Sequence, residues 1–96
     1  MPRPCKHRCI HLDPNYIYFK PQGIPMKELA EIFLALEEAQ ALHLADVEEL
    51  NATQAAQRMG ISRHTFGRIL RKARRTLSTA LLNGRALRIE KRENSV

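Results

Sequence analysis

Nine arginine and lysine side chains lie in residues 50–89, and these forty residues contain no carboxylate. Guanidinium and ammonium groups bind phosphates, and arginine also reads the edges of bases. A merely solvated helix face is the alternative, but such faces usually include glutamates that pair four residues away. Residues 26–49 are the reverse, with seven acids and the single basic residue Lys27. We therefore expect a polyanionic partner for the basic half, and the net charge of +6 agrees.

The basic residues from Arg63 onward recur on one face if this segment is helical. At about 100° per residue, the apolar positions cluster within about 60° of Phe66. Four donors fall near the opposite pole: His64, Arg68, Arg71 and Arg75. Gly67 lies beside this stripe and has no side chain to hold off a DNA backbone or base. Glycine costs about 1 kcal/mol of helix propensity relative to alanine. This cost suggests a reason for the glycine, and close approach is one.

The position of each basic residue along such a helix predicts its kind of contact. The first turn of a recognition helix reaches base edges in the major groove, and later turns diverge toward phosphates. The predicted base readers are Arg63, His64, Thr65 and Arg68. The predicted phosphate contacts are Arg58, Arg71, Lys72, Arg74 and Arg75. Five to seven such contacts would give a log-log salt slope of roughly −4 to −6 per protomer.

Four potential metal ligands alternate near the start of the chain: Cys5, His7, Cys9 and His11. Their number suits zinc, but alternate residues of an extended strand lie about 6.5 to 7 Å apart. That separation is too large for one tetrahedral ion unless a turn intervenes. We therefore predict no metal site, and we keep a metal or redox sensor as an alternative function.

No catalytic set is evident in the sequence. Serine, histidine and an acid do not occur with motif spacing, and no glycine-rich loop cradles a phosphate. The acids fall on predicted helix faces, where solvation is the default role. We predict that the protein is not an enzyme and takes no cofactor.

Two predicted helices position the basic stripe. Asn51 is a good N-cap, Gln54 can close a capping box, and Gly60 can end this helix in the left-handed conformation. Ser62 then caps a helix of about 20 residues, roughly 30 Å long, that stops at Asn83 and Gly84. The tight join between them is typical of a helix-turn-helix over residues 52–82. The apolar residues fit that motif, with small Ala56 where the helices approach most closely and Ile61, Phe66 and Ile69 filling the angle between them. An ordinary pair of packed helices is the alternative.

The rest of the chain predicts a mainly helical single domain with two short strands. Residues 1–25 form an extended basic arm, with a possible strand near residues 16–20. A helix should begin near Pro25, because Leu29, Ile32 and Phe33 follow at helical spacing. A second helix should cover residues 36–47, completing a helical domain over residues 26–84. A strand near residues 86–90, in the tail of residues 85–96, should pair with the strand of the arm.

Composition sets broad limits on the class of protein. A chain of 96 residues has room for one modest core. Trp is absent and Ala and Leu dominate the middle, which favours helices over a sheet sandwich. The N-terminus does not resemble a signal peptide, and no stretch approaches the roughly 18 apolar residues of a membrane span. We expect a cytoplasmic protein.

Several segments together carry a resemblance to a known family. They are Met1-Pro2-Arg3-Pro4, Phe19-Lys20-Pro21, Gly23-Ile24-Pro25, Leu42-His43-Leu44-Ala45-Asp46, Met59-Gly60-Ile61-Ser62-Arg63, Thr65-Phe66-Gly67-Arg68-Ile69-Leu70 and Asn83-Gly84-Arg85-Ala86-Leu87-Arg88-Ile89. Over nearly its whole length the chain resembles domain-of-unknown-function family 134, also called uncharacterised protein family 0251. The helix-turn-helix of that family is similar to region four of sigma factors. The resemblance implies a transcription-related role and places it on Arg63, His64, Thr65 and Arg68.

The chain departs from the family pattern at three positions. His43 stands where arginine is usual, Ala35 replaces a helix-capping threonine, and His64 replaces a glutamine, which alters the expected base preference. Some longer members add a domain resembling those that handle iron-molybdenum cofactor. This chain ends before such a domain, so the resemblance adds no cofactor.

These observations lead to one expected function and two alternatives. We expect sequence-specific binding of double-stranded DNA by a transcriptional regulator, as a homodimer because one such domain reads only a few base pairs. The first alternative is a sigma-like module that contacts RNA polymerase through its acidic half. The second is the metal or redox sensor of the cysteine and histidine arm.

Overall fold

A computed structural model describes residues 18–25 and 30–90 of the chain. In chain order the elements are strand β1 (Tyr18–Phe19), strand β2 (Glu31–Ala35), helix α1 (Leu36–Leu42), a π-helical segment (His43–Val47), helix α2 (Ala52–Met59), helix α3 (Arg63–Leu82) and strand β3 (Ala86–Glu90). The predicted mainly helical class with short strands is confirmed. Most of the predicted N-terminal arm and the end of the tail lie outside the described residues.

Helix α2 and the helix that carries the basic face, α3, begin and end where their caps predict. The Asn51 side chain accepts a hydrogen bond from the Gln54 amide at 2.8 Å, and Gln54 accepts one from the Asn51 amide at 3.1 Å. Gly60 ends α2 in the left-handed conformation, with φ of 71°. Ser62 caps α3 by accepting from the Thr65 amide at 3.0 Å. Local sequence thus determines the limits of α2 and α3.

The predicted helix beginning near Pro25 is wrong, because residues 31–35 form β2 instead. This strand pairs in parallel with β3, with Glu31 opposite Ala86 and Ala35 opposite Glu90. Leu34 is buried and its neighbour Phe33 is exposed, which is the alternation of a strand. The apolar spacing in this region fits a helix as well. Backbone pairing with a strand more than fifty residues away outweighs that local periodicity.

The described strands form a sheet in the order β1-β3-β2. As predicted, β1 pairs with β3. The pairing is antiparallel, with Tyr18 opposite Arg88 and Phe19 opposite Leu87. The second predicted helix is confirmed as α1 together with the π-helical segment. Both strands of the predicted arm-to-tail pairing therefore lie in one chain, and the homodimer stays a prediction.

Helix α3 links two apolar clusters. In the first cluster, Phe66 and Ile69 pack with Met59 and Leu44, joining α3 to α2 and the π-helical segment. In the second, Ala73 and Ala80 pack with Leu34, Ala39 and Leu87, joining α3 to α1 and the sheet. The first half of α3 is thus held by α2 and the π-helical segment, and the second half by α1 and the sheet. Among the described helices, none is long and apolar enough to cross a membrane.

Candidate nucleic-acid interface

A three-residue turn, Gly60 to Ser62, joins α2 and α3. The Ile61 amide donates to the Ala56 carbonyl at 3.0 Å, which closes the end of α2. Ala56 and Phe66 are buried between the two helices, and Ile61 packs against the same cluster. The predicted small residue and apolar plugs therefore lie where the two helices meet. Because the join is short and its sides are packed, α2 holds the first turns of α3 in a fixed position.

The two faces of α3 differ as the helical count predicts. Phe66, Ile69, Ala73 and Ala80 are buried. The opposite pole carries four exposed side chains: His64, Arg68, Arg71 and Arg75. Arg63, also exposed, opens the helix. We call these five residues the basic stripe. Within the part of the chain that the structure describes, none of their side chains forms an ion pair.

The cations on either flank of the basic stripe are paired with acids. Arg74 donates to Asp46 from Nη2 at 2.6 Å and from Nε at 3.2 Å. On the other flank, the Lys72 ammonium lies 3.3 Å from Glu38 Oε2. At about 100° per residue, Lys72 lies about 40° from Arg68 and Arg74 about 60° from Arg71 around the helix. The acidic segment thus neutralises the edges of the basic face and leaves its centre unpaired.

Glu38 is an almost fully buried carboxylate, with its side chain 7% exposed. Its Oε1 accepts a hydrogen bond from the Ala35 amide at 3.0 Å, so it caps the start of α1. Lys72 neutralises its other oxygen. A buried carboxylate needs such partners, because an unpaired one would carry a large desolvation cost. Lys72 therefore has a structural role in holding α1 against α3.

Asp46 and Arg74 form an ion pair with two hydrogen bonds. Both carboxylate oxygens accept from one guanidinium, the bidentate geometry in which these pairs are strongest. The hydrogen bonds from Arg74 hold the pKa of Asp46 below its usual range, and those to Asp46 raise the pKa of Arg74. The π-helical segment carries Asp46 and so determines its position beside α3.

Arg58, the predicted phosphate contact on α2, is also paired with an acid, Glu48. Its Nη1 is 3.5 Å from Glu48 Oε1, and His43 Nε2 is 2.9 Å from the other oxygen of the same carboxylate. The carboxylate joins α2 to the π-helical segment. His43, which departs from the family pattern, contributes to this cluster and not to the basic stripe.

Eight of the nine predicted contact residues therefore fall into two groups. Arg63, His64, Arg68, Arg71 and Arg75 are exposed and have no ion-pair partner among the described residues, whereas Arg58, Lys72 and Arg74 are each paired. Thr65 is half-buried, and its Oγ1 accepts a hydrogen bond from the Ser62 hydroxyl at 3.0 Å. Thr65 thus belongs to the cap of α3, and its predicted role as a base reader stays a prediction.

Nothing in the described part of the chain requires glycine at position 67. A Cβ built at this position would meet no heavy atom within 4 Å, and its φ is not in the left-handed region. Alanine would therefore fit and would favour the helix. The described chain therefore gives no structural reason for glycine at this position.

Sequence reasoning did not find the acidic partners. Asp46 and Arg74 are 28 residues apart, and Glu31 and Arg88 are 57 apart. Glu31 accepts from Arg88 at 3.2 Å and from the Tyr18 hydroxyl at 3.0 Å, and both bonds help to hold its pKa below the ordinary value. The only signal was the opposite net charge of residues 26–49 and residues 50–89. Net charge does not show which acid pairs with which basic residue.

The described residues contain no group of three or more side chains able to hold a metal ion. The candidate ligands Cys5, His7, Cys9 and His11 lie outside the described residues. The prediction that they hold no metal therefore stays a prediction.

Comparison with known proteins shows the family. The family model described as "Protein of unknown function DUF134" matches residues 1–95, so the chain belongs to that family. A UPF0251 protein of Desulfosudis oleivorans is 50% identical over 90 residues, which are 94% of this chain and 65% of that protein. One from Caldanaerobacter subterraneus is 47% identical over 94% of this chain and 76% of its own length. The predicted family membership is confirmed.

The relatives differ in how much longer they are than this chain. A UPF0251 protein of Desulforudis audaxviator is 51% identical, and the match covers 94% of this chain but 59% of that protein. The chain thus spans about three fifths to three quarters of the length of these relatives. No solved structure matches the chain significantly.

Proposed function

We propose that this protein binds double-stranded DNA in a sequence-specific manner and regulates transcription in the cytoplasm. In this proposal, α2 and α3 act as a helix-turn-helix, and α3 enters the major groove. The observation that carries it is the basic stripe, whose side chains are exposed and unpaired among the described residues while the neighbouring cations are paired. A stripe needed for folding alone would be expected to have acidic partners, and acids are available on both flanks.

The basic stripe supports a division of labour along α3. Arg63, His64 and Arg68 lie on the first two turns, where a recognition helix reaches base edges. Arginine pairs with the two acceptors of guanine, and this contact discriminates by about 1 to 3 kcal/mol. Arg71 and Arg75 lie further along and are suited to phosphates, which give affinity without sequence information.

The three paired cations have a smaller part in the proposal than the sequence suggested. Arg58, Lys72 and Arg74 each have a carboxylate partner that offsets their charge. A phosphate would have to displace that partner or share the cation with it. Arg71 and Arg75, the two arginines assigned to phosphates, then give a log-log salt slope of roughly −2, shallower than the count of all basic residues implies.

Gly67 supports the proposal independently of charge. It lies beside the basic stripe, and the described chain leaves open space at its Cβ position. A DNA backbone or base edge that approached α3 at this point would require the space. Close approach of DNA would explain why α3 has glycine at this position, although only proline is less favourable to a helix.

Contact with RNA polymerase through the acidic segment gains no support from the structure. Glu38, Asp46 and Glu48 all point back to cations of α2 and α3. This leaves less free acidic surface than the sequence suggested. We therefore propose duplex DNA as the partner.

The direct test is selection of bound sequences from a random duplex library, followed by fluorescence anisotropy. The selected duplex should bind at least tenfold more tightly than a scrambled duplex of the same length. Raising salt should weaken binding to both duplexes. The same affinity for both sequences, or an affinity that does not depend on salt, would contradict the proposal.

A further inference from the structure

We propose that an apolar groove beside the second half of α3 binds an amphipathic small molecule with an anionic head group. The groove has a volume of about 740 Å³ and lies between α3, α1 and the sheet. Four of the residues that line it are buried: Leu34, Ala39, Ala80 and Leu87. Its volume is within the range of about 300 to 1,000 Å³ that is common for ligand sites.

The rim of the groove exposes large apolar side chains close to one another. Phe19 is 51% exposed, Val47 is 68% exposed and Leu81 is 72% exposed, and all three line the groove. Single exposed apolar residues are ordinary, but a contiguous group marks a binding surface. The three come from β1, the π-helical segment and α3. A ligand with an apolar body would remove them from water together.

The charged side chains that line the groove, Lys20 and Arg85, are both cationic. Lys20, His43 and Arg85 line it, and no carboxylate is among the lining residues of the described chain. His43 is already matched with Glu48, and the Lys20 ammonium donates to the carbonyls of Pro21 and Ile24. Arg85 is exposed and has no carboxylate partner within the described residues. It is therefore the side chain best placed to receive an anionic head group.

The same charges favour a small anion over a second copy of the chain. A symmetric dimer through this groove would bring Lys20 and Arg85 near the same residues of the partner. Like charges placed together at an interface oppose association. An amphiphile with a carboxylate or phosphate head matches both the apolar walls and the basic rim. We therefore assign the groove to this class of ligand.

The groove is separate from the proposed DNA-binding surface. Leu81 lies thirteen residues after Arg68 on the same helix, which corresponds to about 20 Å along its axis. The basic stripe is not part of the groove lining. Ligand binding is thus independent of the proposed DNA binding, and failure of one proposal does not affect the other.

Calorimetric titration of the full chain with decanoate, below its micellar concentration, tests the assignment. We expect one decanoate per chain, and about tenfold weaker binding of the uncharged analogue 1-decanol. Arg85→Gln should reduce the affinity for decanoate to that for decanol and leave decanol binding unchanged. Arg75→Gln removes the same charge outside the groove and should change neither affinity.

A second pair of variants tests the apolar wall. Leu81→Glu places a carboxylate on the rim and should weaken decanoate binding at least tenfold. Leu82→Glu is the matched control, because Leu82 is 83% exposed and is not among the lining residues. Circular dichroism establishes that each variant is folded. If Leu81→Glu does not fold, the contrast between Arg85→Gln and Arg75→Gln still decides the question.

Three results would overturn the proposal. The first is no saturable binding of decanoate, and the second is equal loss of affinity in the Leu81 and Leu82 variants. The third is a dimer in sedimentation that Leu81→Glu dissociates while decanoate fails to bind. That outcome would assign the groove to a second copy of the chain.

Discussion

Arg74 donates two hydrogen bonds to Asp46, at 2.6 and 3.2 Å, although 28 residues separate them in the chain. The pair joins the acidic segment to the basic helix and removes one cation from the exposed basic face. Neighbouring residues on the same face, Arg71 and Arg75, have no such partner among the residues described. The contrast between paired and unpaired cations is the basis of the proposed function.

The Asp46 pair gives a prediction for stability against pH. Because Arg74 lowers the pKa of Asp46, the pair stabilises the fold above the unfolded pKa of about 4. This contribution is lost as pH falls through the lower pKa of the folded state. The pair is half-exposed, so Asp46→Asn should cost less than about 1 kcal/mol at pH 7. Urea unfolding of both proteins from pH 7 to pH 2 should show the difference shrinking toward zero below about pH 4.

Glu49→Gln is the control for the Asp46 experiment, because Glu49 is exposed and has no cation partner in the described ranges. It should change stability at pH 7 by less than about 0.5 kcal/mol. A loss for Asp46→Asn that stayed constant down to pH 2 would show that charge pairing with Arg74 is not its cause.

Restoring the missing cap of α1 should stabilise the protein. Ala35 is the N-cap of α1 and makes no side-chain hydrogen bond, while Glu38 already accepts from its amide. Ala35→Thr would supply the hydroxyl acceptor and complete a capping box. We expect a gain of about 1 kcal/mol in the free energy of unfolding. Ala35→Val has nearly the same shape without the hydroxyl, and a gain of equal size in that variant would refute the capping explanation.

Gly67→Ala should change stability and DNA affinity in opposite directions. The added Cβ meets no atom of the described chain, so the helix should gain up to about 1 kcal/mol. If DNA approaches α3 closely at this point, the same methyl group should weaken binding several-fold. Ser78→Ala, exposed and near the end of the same helix, should leave DNA affinity unchanged. Unfolding and anisotropy measurements check both effects. If Gly67→Ala binds DNA as tightly as the wild type, DNA does not approach α3 closely at this point.

Mutations in the first and second halves of the basic stripe should have different effects on DNA binding. Arg68→Ala should cost about 1 to 3 kcal/mol on the selected duplex and reduce discrimination against a scrambled one. Arg75→Ala should weaken binding to both duplexes alike. Anisotropy titrations on both duplexes measure the contrast. If Arg75→Ala abolishes discrimination while Arg68→Ala weakens both duplexes equally, base readout does not lie in the first two turns.

Local signals predicted the elements that carry the proposed site. Asn51, Gly60 and Ser62 determine where α2 and α3 begin and end, and caps depend on residues only a few positions apart. The strand β2 was not predictable in this way, because its apolar spacing fits a helix and its partner β3 lies far away in the chain. For the site, helical periodicity predicted the exposed stripe correctly. It did not predict which cations were paired, because those contacts depend on how the acidic segment folds back.

The most direct test of the central claim compares unpaired and paired arginines with the same change of charge. One variant is Arg71→Gln with Arg75→Gln, from the basic stripe. The matched control is Arg58→Gln with Arg74→Gln, from the ion pairs with Glu48 and Asp46. The measurement is the log-log dependence of DNA affinity on salt, for wild type and both variants. We predict that the stripe variant is shallower by roughly two units and the control by less than about one. Equal changes in slope, or a larger change in the control, would contradict the claim that the unpaired stripe forms the DNA contact.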